Sequence, residues 1–242
     1  MIRALLPPAV VAVEAYGDIS GEPPFPGEED LVANAVEGRR REVITARRCA
    51  RTALSAFGFP EAPIRAGLRR APQWPAGMSG SITHCAGYRA AAVARAAEVD
   101  LLGIDAEPHG PLPEGVAESI TVSGEPDMLA RLARTHPGTH WGRVLFSAKE
   151  SVYKAWFPAT QRWLGFEEAR LTIDPDTGAF TATLLADGTR VDGRPPLTTL
   201  HGRFAVSADL IVTTVVAGPA APPVTSVFLS TMKDRDISRR RR

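Results

Sequence analysis

Lysine is nearly absent from this chain. Of its 28 lysines and arginines only Lys149, Lys154 and Lys233 are lysine, which leaves 25 arginines. Two of the three fall in the stretch "VLFSAKESVYKAWFP", so that segment carries a type of charge the rest of the chain avoids. An excess of either sign is missing too: 28 basic residues face 27 acidic ones, for a net charge of +1. That balance removes any whole-molecule ground for expecting nucleic acid as a partner. Cysteine occurs only at Cys49 and Cys85, with no CxxC pair and no cluster at metal-ligand spacing. Such thiols fit a reduced, cytoplasmic setting. No apolar run approaches the roughly 18 residues needed to span a bilayer, so no membrane partner is expected. The opening "MIRALLPPAVVAVEAYGD" has a single Arg3, an apolar run broken by Pro7 and Pro8, and no small-residue cleavage site. It reads as a strand and not as a signal peptide. Phosphate-loop, dinucleotide, zinc-protease and serine-hydrolase signatures (GxxxxGKS/T, GxGxxG, HExxH, GxSxG) are all lacking.

With 242 residues, 44% of them hydrophobic, the chain can bury a sizeable core, and 21 Gly plus 21 Pro divide it with many turns. The loop "GEPPFPGEED" ends in acidic residues suited to a helix N-terminus, which predicts a helix over residues 29–57. Val43, Ala46, Ala50, Ala53 or Leu54, and Phe57 form its buried stripe. Residues 60–80 read as loop. "GSITHCAGYRAAAVAR" reads as two strands around a turn at Gly87, and "VDLLGIDAEP" as another strand closed by Pro108. Short helices are expected within residues 114–135, then a helix over 141–157 that Pro158 should end. "ARLTIDPDTGAFTATLLADG" and "PLTTLHGRFAVSADLIVTTVVAG" read as antiparallel strands. Helix then strands, twice over, predicts an α+β fold of two similar halves, residues 1–104 and 105–220, with a disordered tail over 221–242.

On the strand "LLGIDAEP", alternate side chains share a face, so Asp105 and Glu107 point the same way. Two hard carboxylates so placed suit Mg²⁺, which takes one or two of them and fills its other positions with water and phosphate oxygens. The plainer alternative is a solvated strand end before Pro108. Glu150 and Lys154 stand one helical turn apart among Phe146, Val152, Trp156 and Phe157. At a surface they would be an ordinary ion pair. On a buried helix the charges are costly unless a metal and a phosphate chain need them. Thr83 and His84 follow Gly80 and Ser81, and a strand histidine is more often a satisfied core residue than a ligand. Arg39, Val43 and Arg47 make a row along the basic helix "GRRREVITARRCAR". Arg47 borders the apolar stripe, where a guanidinium held partly out of water could grip a phosphate. The remaining arginines there read as a solvated face.

Taken together, "RRREVITARRCARTAL", "PQWPAGMSGSITHCAGYRAAAVA", "GIDAEP", "FSAKESVYKAWFP" and "RWLGFEEA" resemble, in order over residues 38–169, the phosphopantetheinyl transferases of the surfactin-synthetase/enterobactin-synthetase type, the actinobacterial branch above all. "GIDAEP" followed by "KESVYKAW" is the specific pair. One departure is Ala71, where many relatives carry a lysine before the proline matching Pro72; Arg69 or Arg70 is the nearest substitute.

The resemblance implies two α+β halves related by a pseudo-twofold axis, each with a small antiparallel sheet, and coenzyme A bound between them. It implies transfer of 4′-phosphopantetheine from coenzyme A to a serine of apo carrier proteins of fatty-acid, polyketide or peptide synthesis, with release of 3′,5′-ADP. Asp105, Glu107 and Glu150, with the Ala106 carbonyl, would hold Mg²⁺, or Mn²⁺ in its place. Glu150 would accept the serine proton and Lys154 would stabilise the departing phosphate. Thr83 and His84 would bind coenzyme phosphates, and Arg39 and Arg47 the 3′-phosphate. The loop Ala66, Gly67, Leu68 and Arg69 and the backbone near Leu164 would line the nucleotide pocket. A monomer is expected. The rival reading is a Mg²⁺-dependent nuclease, which would want a continuous basic groove where this chain gathers its arginines on one helix.

Overall fold

The computed structural model describes residues 1–218, so the tail expected over 221–242 lies outside the described residues. Two antiparallel sheets form. The first contains β1 (Val11–Ala15), β2 (Met78–Cys85) and β3 (Tyr88–Arg95) in the order β1-β3-β2. The second contains β4 (Leu101–Pro108), β5 (Ala169–Asp174), β6 (Ala179–Leu184), β7 (Thr199–Val206) and β8 (Leu210–Ala217) in the order β4-β8-β7-β6-β5. A long helix covers each, α1 (Glu37–Ser55) on the first and α4 (Trp141–Thr160) on the second. The short α2 (Val116–Ile120) and α3 (Glu125–Thr135) complete the second half. This is the α+β arrangement of two similar halves that the order of elements predicts. β4 spans the expected division at 104/105 and pairs along its whole length with β8.

The alanine run of β3 follows from its place. Ala91 and Val93 pack on Cys49, Ala50 and Ala53 of α1, while Ala90, Ala92 and Ala94 face Ile2, Val99, Leu102 and Ile104. A strand covered on both faces shows no polar alternation. β5, covered on one face, does alternate: Ala169, Leu171 and Ile173 point inward, Arg170, Thr172 and Asp174 outward.

The two sheets meet where β2 lies against β4. Ser81 Oγ accepts the Ile104 N–H and Thr83 Oγ1 accepts the Ala106 N–H, both at 3.0 Å. Side-chain hydroxyls thus replace carbonyls along this edge, satisfying donors that would otherwise be buried unpaired. On the face of β4 that carries Asp105 and Glu107, α4 comes so close that only glycine fits at 103. A Cβ there would lie 2.0 Å from the Ser151 carbonyl oxygen and 2.8 Å from the Ala155 nitrogen. Both are backbone atoms of the helix, so no side chain can yield. Gly103→Ala is expected to cost at least about 2 kcal/mol of stability, since α4 must lift off the sheet. Urea unfolding of the two proteins checks this; equal midpoints would mean the contact is looser than described.

Three boundaries depart from the sequence reading: β2 begins at Met78, inside the stretch read as loop, and two helices differ. The helix expected over 29–57 starts only at Glu37, and the acidic residues form a separate 3-10 turn, Glu29–Leu31. Glu28 explains the break: its side chain turns inward to Arg51 and the Ile64 N–H, where it cannot cap a helix. Pro158 does not end α4, which continues to Thr160. Proline withholds one N–H from the Lys154 carbonyl. The last turn still closes through Gln161, which donates its N–H to the Phe157 carbonyl at φ 56° and there stops the helix.

Candidate active site

Arg143, Ser147, Glu150 and Lys154 recur along one face of α4, and Gly103, Asp105 and Glu107 line the facing side of β4. Asp105 is buried and fully engaged. Its Oδ1 accepts from Lys154 Nζ at 2.7 Å and from Thr83 Oγ1 at 3.3 Å, and its Oδ2 from Ser147 Oγ at 2.8 Å. Lys154 also donates to the Ile104 carbonyl at 3.1 Å. The lysine is therefore partnered across the elements with Asp105, and not with Glu150 one turn away on its own helix. Glu107 accepts from Arg143 Nη1 at 3.0 Å. Glu150 has no hydrogen bond or ion pair with any described residue. Burial pushes the Glu150 carboxyl above its ordinary range and the charge of Asp105 adds to this, with Lys154 pulling the other way. Glu107 is raised for the same two reasons. Among the described residues, no three acidic, imidazole or thiol side chains converge closely enough to hold a metal ion by themselves.

Beside these groups a cleft of about 300 Å³ opens between the halves. Its walls are Arg39, Val43, Ala46 and Arg47 of α1, Gly80, Ser81, Ile82 and His84 of β2, Glu150, Tyr153, Lys154 and Phe157 of α4, and the loop carrying Ala66, Arg69, Arg70 and Trp74. Among the described residues, Arg39, Arg47, Arg69, Arg70 and Lys154 face it as cations, with Glu150 as the one acidic lining residue. A cleft so lined concentrates a positive field and suits a ligand with several phosphates. The loop holds Arg69 and Arg70 at φ 50° and 65°, both left-handed, a conformation that costs energy for residues other than glycine.

His84 is pushed down to about 3 by burial first and then by Arg39, Lys154, Arg89 and Arg47. Glu42, 3.4 Å away, does not offset them. Its ring is neutral at physiological pH, and Arg39 Nη1 lies 3.0 Å from Nδ1. The consequence for stability has a definite sign. Between the ordinary value of 6.5 and the depressed folded value of about 3, the unfolded chain binds a proton that the folded chain refuses. Stability is therefore lost as the pH falls through that window. His84→Gln is expected to flatten this acid limb of the melting curve; an unchanged limb would place the acid lability elsewhere.

The structure brings Arg39, Arg47, Ala66, Arg69, His84, Glu150 and Lys154 to the cleft wall. Thr83 lies behind it, 1% exposed, bonding Asp105 and the Ala106 N–H. Asp105, Ala106 and Glu107 lie on β4, next to that wall and not in it. Gly67 and Leu68 belong to the loop, with Leu68 exposed, and Leu164 packs in the core of the second half. Lys149 is a structural residue, buried against the Ile120 and Phe166 carbonyls and Glu125 at 2.7, 2.8 and 2.9 Å. Sequence reasoning passed over Tyr153 and Trp74. Tyr153 was findable, since it falls three residues after Glu150 on the same helical face. Trp74 was not: its ring fits against Gly80 because that strand position has no side chain.

Residues 27–94 match the model of the 4′-phosphopantetheinyl transferase N-terminal domain, and residues 101–202 that of the 4′-phosphopantetheinyl transferase superfamily. The chain is 51% identical over 224 residues to 4′-phosphopantetheinyl transferase Svp of Streptomyces mobaraensis, covering 91% of each. This chain belongs to the 4′-phosphopantetheinyl transferase superfamily. It is also 48% identical to 4′-phosphopantetheinyl transferase PptT of Mycobacterium tuberculosis over 225 residues, 89% of this chain and 97% of that protein. Enterobactin synthase component D of Salmonella typhi is more distant, 34% identical over 145 residues, 59% of this chain and 58% of that one. Enzymes of this superfamily transfer 4′-phosphopantetheine from coenzyme A to carrier proteins, and the present chain is such a transferase. The nuclease alternative is thereby set aside. Among the described residues, no helix is long and apolar enough to cross a membrane.

Proposed function

We propose that this transferase binds coenzyme A along the cleft with its 3′-phosphate at Arg39 and Arg47 and its pyrophosphate toward His84 and Lys154. The observation that carries this reading is the layout of charge: five cations along one cleft, ending at Glu150 and the Asp105–Lys154 pair. A carrier-protein serine would enter at that acidic end. Glu150 takes the serine proton, the serine oxygen bonds to the β-phosphorus, and the bond from that phosphorus to the bridging oxygen breaks. The departing 3′,5′-ADP takes the electron pair, and Lys154 steadies the charge that appears on it.

A divalent ion fits the donors in kind. All are oxygens, Glu150 is uncommitted, and the carboxyls of Glu107 and Glu150 are raised in part by the charge of Asp105, a strain that a cation relieves. Asp105, Glu107, Glu150 and the Ala106 carbonyl would hold it, with Arg143 releasing Glu107. Mg²⁺, or Mn²⁺ in its place, would offset charge on the pyrophosphate. Thr83 acts here through Asp105, whose Oδ1 it bonds, and not as a phosphate ligand.

Arg47→Ala tests the assignment of the coenzyme. Its Michaelis constant for coenzyme A should rise about tenfold, the scale of one charge-assisted contact, while that for dephospho-coenzyme A stays near the parent value. Equal losses with both substrates would mean that Arg47 does not read the 3′-phosphate.

A further inference from the structure

The acidic turn ahead of α1 has no part in the chemistry above, yet it is held more firmly than a surface loop requires. Glu28 is 2% exposed. Its Oε1 accepts from Arg51 Nη1 and from the Ile64 N–H, each at 2.7 Å. The carbonyl of the same Ile64 accepts from Arg47 Nε at 3.1 Å. Glu28 thus grips one side of this buried residue while Arg47 hangs from the other. The grip is braced from further directions. The Arg51 guanidinium lies 4.2 Å above the Phe25 ring, Glu29 accepts the Gly27 N–H at 2.8 Å, and Asp30 takes Arg65 with both oxygens, at 2.6 and 2.8 Å.

For Arg47 this has a consequence. With Nε committed to Ile64, the plane of its guanidinium is set, and neither Nη bonds a described residue. The two remaining nitrogens form an open edge on a residue that lines the cleft. Arg39, the other arginine of the proposed phosphate site, is engaged through Nη1 with Glu42 and His84, while Arg48 and Arg51 are held by Glu22 and Glu28.

We propose that Glu28 is a positioning residue for coenzyme recognition: by clamping the Ile64 backbone it aims the guanidinium of Arg47 at the 3′-phosphate and so sets the preference for coenzyme A over dephospho-coenzyme A. This rests on reading the arginine wall as the 3′-phosphate site. A purely structural ion pair would weaken folding and leave that preference alone.

The test is calorimetric binding of 3′,5′-ADP and of 5′-AMP to the full chain, read as the ratio of the two affinities. Removing only one partner of a buried pair endangers the fold, whereas replacing both by apolar side chains of similar volume is often tolerated. The main variant is therefore Glu28→Met with Arg51→Met. Its ratio should fall about tenfold, the scale of one charge-assisted hydrogen bond. In an Arg47→Ala background the same pair of changes should leave the ratio where Arg47→Ala alone puts it, because positioning acts only through that arginine. Should the double variant not fold, Glu28→Gln serves, with an intermediate loss, since it keeps an oxygen for Ile64 but no charge for Arg51. A parent-like ratio in a folded variant overturns the proposal, and so does a loss that persists in the Arg47→Ala background. If Arg47→Ala itself leaves the ratio unchanged, the arginine wall is not the 3′-phosphate site, and the underlying reading fails with it.

Discussion

Asp105→Asn is expected to fold like the parent and to turn over about a thousandfold more slowly, the scale seen when one preorganised electrostatic partner is lost. Folding should survive because the substitution keeps the shape and most of the bonds. The amide oxygen can still accept from Lys154 and Thr83. The amide nitrogen faces Ser147 Oγ, whose hydroxyl can turn to accept it and donate instead to Thr213 Oγ1, 3.0 Å away. What disappears is the charge. Lys154 loses its counter-ion, and the carboxyls of Glu107 and Glu150 lose the like charge that helps raise them. Of the three carboxylates, only Asp105 pairs with the lysine, and its charge bears on both glutamates, so neither glutamate replaces it as placed. Added Mg²⁺ should not restore the full rate, because filling the metal site does not replace the counter-ion that Lys154 has lost. Near-normal turnover in this variant would remove Asp105 from the reaction.

Lys154→Arg should also fold, with matched melting curves, and lose at least about tenfold in turnover, which is about 1.4 kcal/mol of barrier. The chain itself points to this, since arginine serves at nearly every other position that needs positive charge. Lysine at 154 places a compact ammonium 2.7 Å from Asp105 Oδ1 and 3.1 Å from the Ile104 carbonyl, with the cleft in front of it. A guanidinium is a broad planar fork. It would take both oxygens of Asp105 or reach to the uncommitted Glu150, and either choice draws a carboxylate out of position. Lys149→Arg is the matched comparison, and its effect is of another kind. Lys149 meets three acceptors in a space with no opening to the cleft, so enlarging it should lower the melting temperature, with turnover per folded molecule falling less. A Lys154→Arg protein that turned over like its parent would make lysine at that position an accident of sequence.

Local pattern made much of this legible. "GIDAEP" shows its strand and the shared face of Asp105 and Glu107, and "KESVYKAW" its helix, because each signal is a periodicity within a few residues. Pairings between distant elements are not written that way. Lys154 stands one turn from Glu150, and spacing alone matches those two; the fold matches it to Asp105, which only the packing of α4 on β4 reveals. Glu28 and Asp30 look like the acidic start of a helix, and nothing in their neighbourhood shows that Arg51 and Arg65 will pull them aside. The resemblance makes Thr83 a phosphate contact, yet β2 turns it toward β4, where a buried N–H needs an acceptor. Gly103 reads in the sequence only as a point near which two halves meet. Its reason, a helix backbone within 2.0 Å of any Cβ, is tertiary.

On the mechanism proposed above, the Asp105–Lys154–Glu150 end of the cleft carries phosphopantetheine from coenzyme A to a carrier serine. One mass measurement addresses it directly. Apo carrier proteins of the fatty-acid, polyketide and peptide types are incubated with coenzyme A, Mg²⁺ and either the parent protein or Asp105→Asn, and each carrier is then weighed intact. The parent should add the mass of one phosphopantetheine group to at least one carrier, at its serine, and Asp105→Asn in equal amount should do so about a thousandfold more slowly. Equal rates of mass gain with the two proteins would contradict it.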